Sequence, residues 1–118
     1  MNNVRLTFLG TSSGGGPTQG RGCSSMALSF QNEVWLIDCA EGTQRQIQRT
    51  NHIDMSRITK IFITHMHVDH CVGVAPLLST LMSVFSARAQ ACNNNPDKKY
   101  TEHLVYDSSC ALHCPLHI

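Results

Sequence analysis

The chain is short of charge and carries almost no surplus of either sign. Asp, Glu, Lys and Arg make up 14% of its 118 residues and leave a formal net charge of +1. A broad basic footprint for nucleic acid shows itself in the Lys and Arg balance, so the composition does not force such a partner. Arg45 and Arg49 share one face of an expected helix and, taken alone, read as a solvated surface. The amino terminus lacks both the basic stretch and the apolar core of a secretory signal. A long unbroken apolar run is missing too: Gly73, Pro76, Ser79, Thr80 and Ser83 interrupt the stretch from Val72 to Phe85, which reads as too short and too polar to span a bilayer. These absences predict an intracellular protein, cytoplasmic or nuclear, with no membrane contact. Without a secretory context, the six cysteines are read as free thiols. The 42% of hydrophobic residues suits an ordinary globular core and at most one domain.

What the chain does contain is concentrated between Lys60 and His70, K-I-F-I-T-H-M-H-V-D-H. Ile61, Phe62 and Ile63 form a short apolar run of the kind that makes a strand buried on both faces, and it stops at Thr64. His65, His67, Asp69 and His70 then supply three imidazoles and a carboxylate within six residues, a donor set suited to zinc or another borderline divalent ion. His65 and His67 are one residue apart, so in extended backbone they leave the same side and can grip one ion. Asp69 and His70 are adjacent, and a turn is needed to aim both at a site. The pattern therefore reads as two neighbouring metals, about 3.5 to 4 Å apart in two-metal hydrolytic sites, with Asp69 able both to ligate and to orient the attacking water. A solvated loop that happens to hold histidines is the plain alternative, and the position of the motif directly after a hydrophobic strand argues against it.

The remaining chain supplies a scaffold. Val4, Leu6 and Phe8 alternate with polar residues as in a half-buried strand. Gly10 to Gly22 holds six glycines and a proline, which requires a loop. It lacks the Gly-Lys-Ser/Thr ending of a phosphate-binding loop. Ser25 to Phe30 and Glu33 to Asp38 read as strands joined by a Gln31-Asn32 hairpin turn. Thr43 is expected to cap a helix running to about Arg49. Asp38, at the end of a buried strand, needs partners: either backbone N–H groups or the second ring nitrogen of a metal-ligating histidine. A helix from about Pro76 to Arg88 is expected to pack on the sheet. Asn93 to Lys99 reads as a polar loop and Glu102 to Tyr106 as a further strand. Cys110, His113, Cys114 and His117 match no usual zinc-finger spacing and read as a divergent tail.

Three stretches in succession, T-F-L-G-T-S-S-G-G-G-P-T-Q-G-R-G, L-I-D-C-A-E-G-T-Q-R-Q and I-F-I-T-H-M-H-V-D-H-C-V-G-V, resemble the amino-terminal motifs of ribonuclease Z. That family, within the metallo-β-lactamase superfamily, removes 3′ trailers from precursor tRNA. Ala40 stands where it usually has glycine. The resemblance implies an α/β fold, the amino-terminal half of a metallo-β-lactamase αββα sandwich, with residues 1–106 as a partial domain and 107–118 as the tail. It implies two zinc ions, one held by His65 and His67 and the other by Asp69 and His70. Asp69 would be the general base, and Asp38 and Thr64 would support the ligands from behind. The Gly-rich loop and Glu41 to Gln44 would line the cleft. The implied partner is precursor tRNA, with a homodimer as a further partner state. The family's later metal-binding histidines and bridging aspartate have no counterpart in this chain, so each ion would draw two protein ligands from it. Two structural expectations follow. The strand from Val4 and the strand ending at Thr64 should neighbour one another, bringing the Gly-rich loop beside the metals. An incomplete sandwich should also expose Leu77, Leu78, Leu81 and Phe85.

Overall fold

A computed structural model describes residues 3–94. Its elements in order are β1 (Val4–Gly10), β2 (Ser25–Phe30), β3 (Glu33–Cys39), α1 (Thr43–Arg49), a 3-10 turn (Met55–Arg57), β4 (Ile58–Phe62), α2 (Val68–Cys71) and α3 (Val74–Asn94). The strands form one sheet in the order β1-β2-β3-β4. The first two pairings are antiparallel. The third is parallel, and parallel neighbours need a crossover, which α1 supplies. The expected hairpin forms, with Gln31 at φ 52°, the left-handed backbone that tight two-residue hairpin turns demand.

The strand order corrects one expectation. β1 and β4 lie on opposite edges rather than side by side. They nevertheless run in the same direction, because two antiparallel steps and one parallel step separate them, so Gly10 and Phe62 leave the sheet at the same end. At that end no side chain fits on Gly10: a Cβ there would lie 1.7 Å from the Cys23 carbonyl oxygen.

One face of the sheet carries the core. Leu9, Ala27, Val34, Leu36, Ile58 and Ile61 pack with Ile47 of α1 and with Leu77 and Leu81 of α3. Leu77 and Leu81 are fully buried, and Leu78 and Phe85 pack against the same cluster. The expectation that this helix stripe lies exposed is therefore wrong; burying it against the sheet removes about 1.5 to 3 kcal/mol of apolar exposure per leucine. The helix is also longer than expected. It starts at Val74, keeps Pro76 in its first turn where the missing N–H costs nothing, and includes Asn93 and Asn94; the rest of the expected polar loop, 95–99, lies outside the described residues. Val68 to Ala91 is, by length and composition alone, long and apolar enough to cross a membrane, a property that core helices of folded domains share. Here it turns Leu77 and Leu81 to the core. The expected strand Glu102 to Tyr106 and the Cys/His tail lie outside the described residues.

Among the described residues, the opposite face is apolar and uncovered. On β1 the alternate residues Val4, Leu6 and Phe8 are exposed, and their partners across the register are Phe30, Leu28 and Met26. β4 is an edge strand among the described residues, and Phe62 is 48% exposed, so the expected strand buried on both faces is buried on one. At one end of this face Glu33 Oε2 accepts from the Trp35 indole (2.6 Å), Lys60 Nζ (2.9 Å) and the Thr59 hydroxyl (3.1 Å). The Trp35 indole and Lys60 bonds hold the Glu33 carboxyl below its ordinary value against desolvation, with Thr59 assisting. A folded-state pKa lowered in this way contributes stability that is complete above the unfolded value, about 4.3, and is lost as pH falls through the folded one. Thermal melts across the acid range are expected to show a smaller loss on acidification in Glu33→Gln than in the parent chain. An identical slope in both would contradict it.

Candidate metal centre

The centre is assembled at the end of the sheet where β3 and β4 finish. β3 reaches Asp38 and bends through it: Asp38 has φ 58°, a left-handed backbone that Asp tolerates better than most side chains. The bend brings the buried carboxylate to the start of the histidine loop. Oδ1 accepts from the Thr64 N–H at 2.8 Å, and the Thr64 hydroxyl lies 2.9 and 3.0 Å from the two oxygens. Oδ2 meets His70 Nδ1 at 2.6 Å. Asp38 thus has a backbone N–H and a histidine ring nitrogen as partners at once. Burial pushes this carboxyl up, and the Thr64 N–H, His70 and the Thr64 hydroxyl outweigh it, leaving it below its ordinary value. A carboxylate accepts, so His70 Nδ1 carries the hydrogen and Nε2 keeps its lone pair for a ligand, the arrangement that fixes tautomer and ring in metal-binding histidines. Asp69 Oδ2 lies 3.6 Å from that Nε2.

His65 and His67 form the other pair. His65 Nε2 and His67 Nδ1 are 3.0 Å apart, and the Thr64 hydroxyl sits 3.1 Å from His65 Nδ1. Two imidazole nitrogens on one tetrahedral zinc, each at about 2.0 to 2.1 Å, stand about 3.3 Å apart, so this pair is close to a ligating separation. The turn required between the two pairs is the start of α2: His67 is still extended (φ −67°, ψ 145°), while Asp69 and His70 are helical. The pairs are neighbours, with the His65 and His70 rings 4.0 Å apart between centroids. No group of three or more His, Cys, Asp or Glu among the described residues is set around a single metal position. The donors stand as two pairs, and neither pair alone is a complete zinc site.

Sequence reasoning missed the joint that holds α2 in place. Gly73 donates to the Cys39 carbonyl at 2.9 Å, and a Cβ on Gly73 would sit 2.0 Å from the Ala40 carbonyl oxygen. Backbone contact this close fixes Asp69 and His70 against the strand end that bears Asp38. The available signal was a single glycine inside an apolar helical run. Thr43 does not cap α1 as expected; Gly42, at φ 82°, holds the cap position. The Cys23, Cys39 and Cys71 thiols are free. Burial pushes Cys39 up to about 11. Cys23, at the end of the Gly-rich loop, is raised by burial and then by the Glu41 and Asp69 carboxylates.

The Gly-rich loop and α1 flank an open pocket of about 400 Å³ lined by Pro17 to Cys23 and by Glu41, Arg45, Gln46 and Arg49. The Gly-rich loop and the Glu41 turn face each other across this pocket. His65, His67, Asp69 and His70 are not among its lining residues.

Residues 4–96 match the family described as Anti-Pycsar protein Apyc1. The chain belongs to that family. It is also 47% identical over 117 residues to Ribonuclease Z of Prochlorococcus marinus (strain MIT 9215), an alignment covering 97% of this chain and 37% of that protein. Human tRNase Z, short form, superposes with a TM-score of 0.61 at 46% identity, covering 69% of this chain and 29% of the human one. The metallo-β-lactamase fold protein YhfI of Bacillus subtilis superposes at 0.60 with 19% identity over 70% of this chain and 32% of its own, which shows the fold. The fold is thus the amino-terminal part of the metallo-β-lactamase sandwich, and the likeness to ribonuclease Z read from the motifs holds across nearly the whole chain. The chain spans about 37% of the length of the curated relatives it matches.

Proposed function

We propose that this chain carries the amino-terminal catalytic motifs of a zinc-dependent endoribonuclease of the ribonuclease Z type, which removes 3′ trailers from precursor tRNA. The observation that supports it is the pairing of His65 with His67 and of Asp69 with His70, the latter held by Asp38, on a chain 47% identical to a ribonuclease Z. His65 and His67 would hold one zinc ion and Asp69 and His70 the other. Bound zinc supplies an acidified water and positive charge for the phosphoryl oxygens. Asp38 keeps the His70 ring in one tautomer. Asp69, partly exposed beside it, is the group placed to take a proton from a water at the mouth of the site. The test is a chimera in which residues 1–94 replace the matching segment of the Prochlorococcus enzyme. Asp69→Ala in it is expected to lower precursor-tRNA cleavage by about a hundredfold or more. Near-normal turnover sinks the reading. Running the same chimera on a simple aryl phosphodiester separates tRNA processing from general phosphodiester hydrolysis, the activity class of another superfamily hydrolase.

A second reading, a metal-binding module without catalysis, is favoured by the two-donor pairs. A catalytic zinc normally has three protein ligands and an open position, and two donors bind metal far more weakly. The 118-residue chain given excess zinc is then expected to bind it weakly by calorimetry and to leave precursor tRNA intact. Efficient cleavage by this chain alone would overturn the second reading and support the first.

A further inference from the structure

The metal donors do not line the open pocket between the Gly-rich loop and α1. The loop wall of this pocket is tied down: Thr18 and Arg21 exchange both backbone hydrogen bonds, at 2.8 and 3.3 Å, and the Ser12 N–H donates to the Gly22 carbonyl at 2.8 Å. The small turn so closed holds Arg21, an exposed side chain, at the pocket. The facing wall is α1, where Arg45 and Arg49 line the pocket four residues apart. That spacing is one helical turn, about 6 Å, so the two guanidiniums leave the same face of the helix. The pair that reads in the sequence as solvated helix surface thus faces a tied loop carrying a third arginine. Against the three stands one carboxylate of the lining, Glu41. Among the described residues none of these three guanidiniums has an ion pair or hydrogen bond, and α1 holds no acidic residue to neutralise its own two. Like charges one turn apart cost a helix stability, so the fold gains nothing from the pair. An anion in the pocket turns that repulsion into attraction.

We propose that Arg21, Arg45 and Arg49 hold the sugar-phosphate backbone of an RNA substrate at phosphates flanking the one set over the metal centre, an inference that rests on the nuclease reading above. The pocket lies at the right end of the fold. Its loop begins where β1 finishes and α1 follows β3, at the same end of the sheet from which β4 leads into His65. β1 and β4 stand three strand spacings apart, about 14 Å. A chain of linked phosphates crosses such a distance, and a small phosphodiester does not. Glu41 opposes the contact, so the net attraction is that of about two charges. Phosphate contacts of this kind fix the register of a strand without reading its bases, which makes the three arginines positioning residues.

Binding is measured apart from catalysis, by fluorescence anisotropy of a labelled precursor tRNA titrated with the full 118-residue chain in a metal chelator at several salt concentrations. The double variant Arg45→Gln/Arg49→Gln is expected to weaken binding about tenfold or more at about 0.1 M salt and to lower the slope of log K against log salt by about one to two, with far-UV circular dichroism unchanged. Arg21→Gln, on the facing wall, is expected to weaken binding about fivefold and guards against a defect peculiar to α1. Arg57→Gln also removes one positive charge, but just before β4 begins, at the other end of the sheet, and is expected to leave affinity and slope as in the parent. A parent chain that does not bind, a double variant as tight as the parent, or a loss in Arg57→Gln equal to that in Arg21→Gln overturns the proposal. In the chimera the double variant is expected to raise KM for precursor tRNA about tenfold and to leave kcat and aryl phosphodiester turnover unchanged. An equal loss on the aryl substrate overturns the proposal by placing the arginines at the reacting centre. A chimera inactive on both substrates sinks the nuclease reading alone, because the anisotropy titration decides on RNA binding without it.

Discussion

Asp38→Ala is expected to cost about 3 kcal/mol of stability and to weaken zinc binding about 10- to 100-fold. Three partners depend on this one buried carboxylate: the Thr64 N–H, the Thr64 hydroxyl and the His70 ring. Removing it leaves the Thr64 amide and the His70 imidazole without the acceptor that the buried Asp38 supplied, and unmade hydrogen bonds at a buried position cost more than made ones gain. Alanine at φ 58° adds backbone strain of its own. Asp38→Asn separates the two effects, because asparagine accepts the left-handed conformation but presents a neutral amide to His70. The Asn variant is expected to retain most of the stability and still lose zinc affinity. Denaturant melts and a zinc titration by calorimetry measure both. Full affinity in Asp38→Asn would show that His70 needs no carboxylate behind it.

Leu36→Ala is expected to remove about 2 to 5 kcal/mol. Leu36 is fully buried in β3, opposite Ala27 of β2 and Ile61 of β4, and belongs to the cluster that Leu77 and Leu81 close from above. Domains of this size have about 5 to 15 kcal/mol in total, so the loss takes a large share of it. The thermal midpoint should fall by more than about 10 °C. Met82→Ala, at a largely exposed position on α3, should change it little. Equal shifts in the two variants would mean that the sheet-and-helix core does not carry the stability assigned to it.

The sequence by itself determined what depends on neighbours a few residues apart. The histidine motif was legible because its four donors lie within six residues of each other and directly follow an apolar strand. The hairpin at Gln31-Asn32 and the alternation in β1 were legible for the same reason: turn chemistry and side-chain period are local. Alternation states that a strand has two faces and cannot state which one the helices cover. The tertiary structure decided that, by placing Leu77 and Leu81 on the Leu36 side and leaving Phe8 and Phe62 open. It also decided that β1 and β4 stand at opposite edges, because strand order is set by long-range pairing on which no single segment bears. Asp38 and His70 are 32 residues apart, and their 2.6 Å contact exists only because β3 and α2 finish at the same end of the sheet. The donors were written in the chain; their orientation required β3, β4 and Gly73 to be brought together.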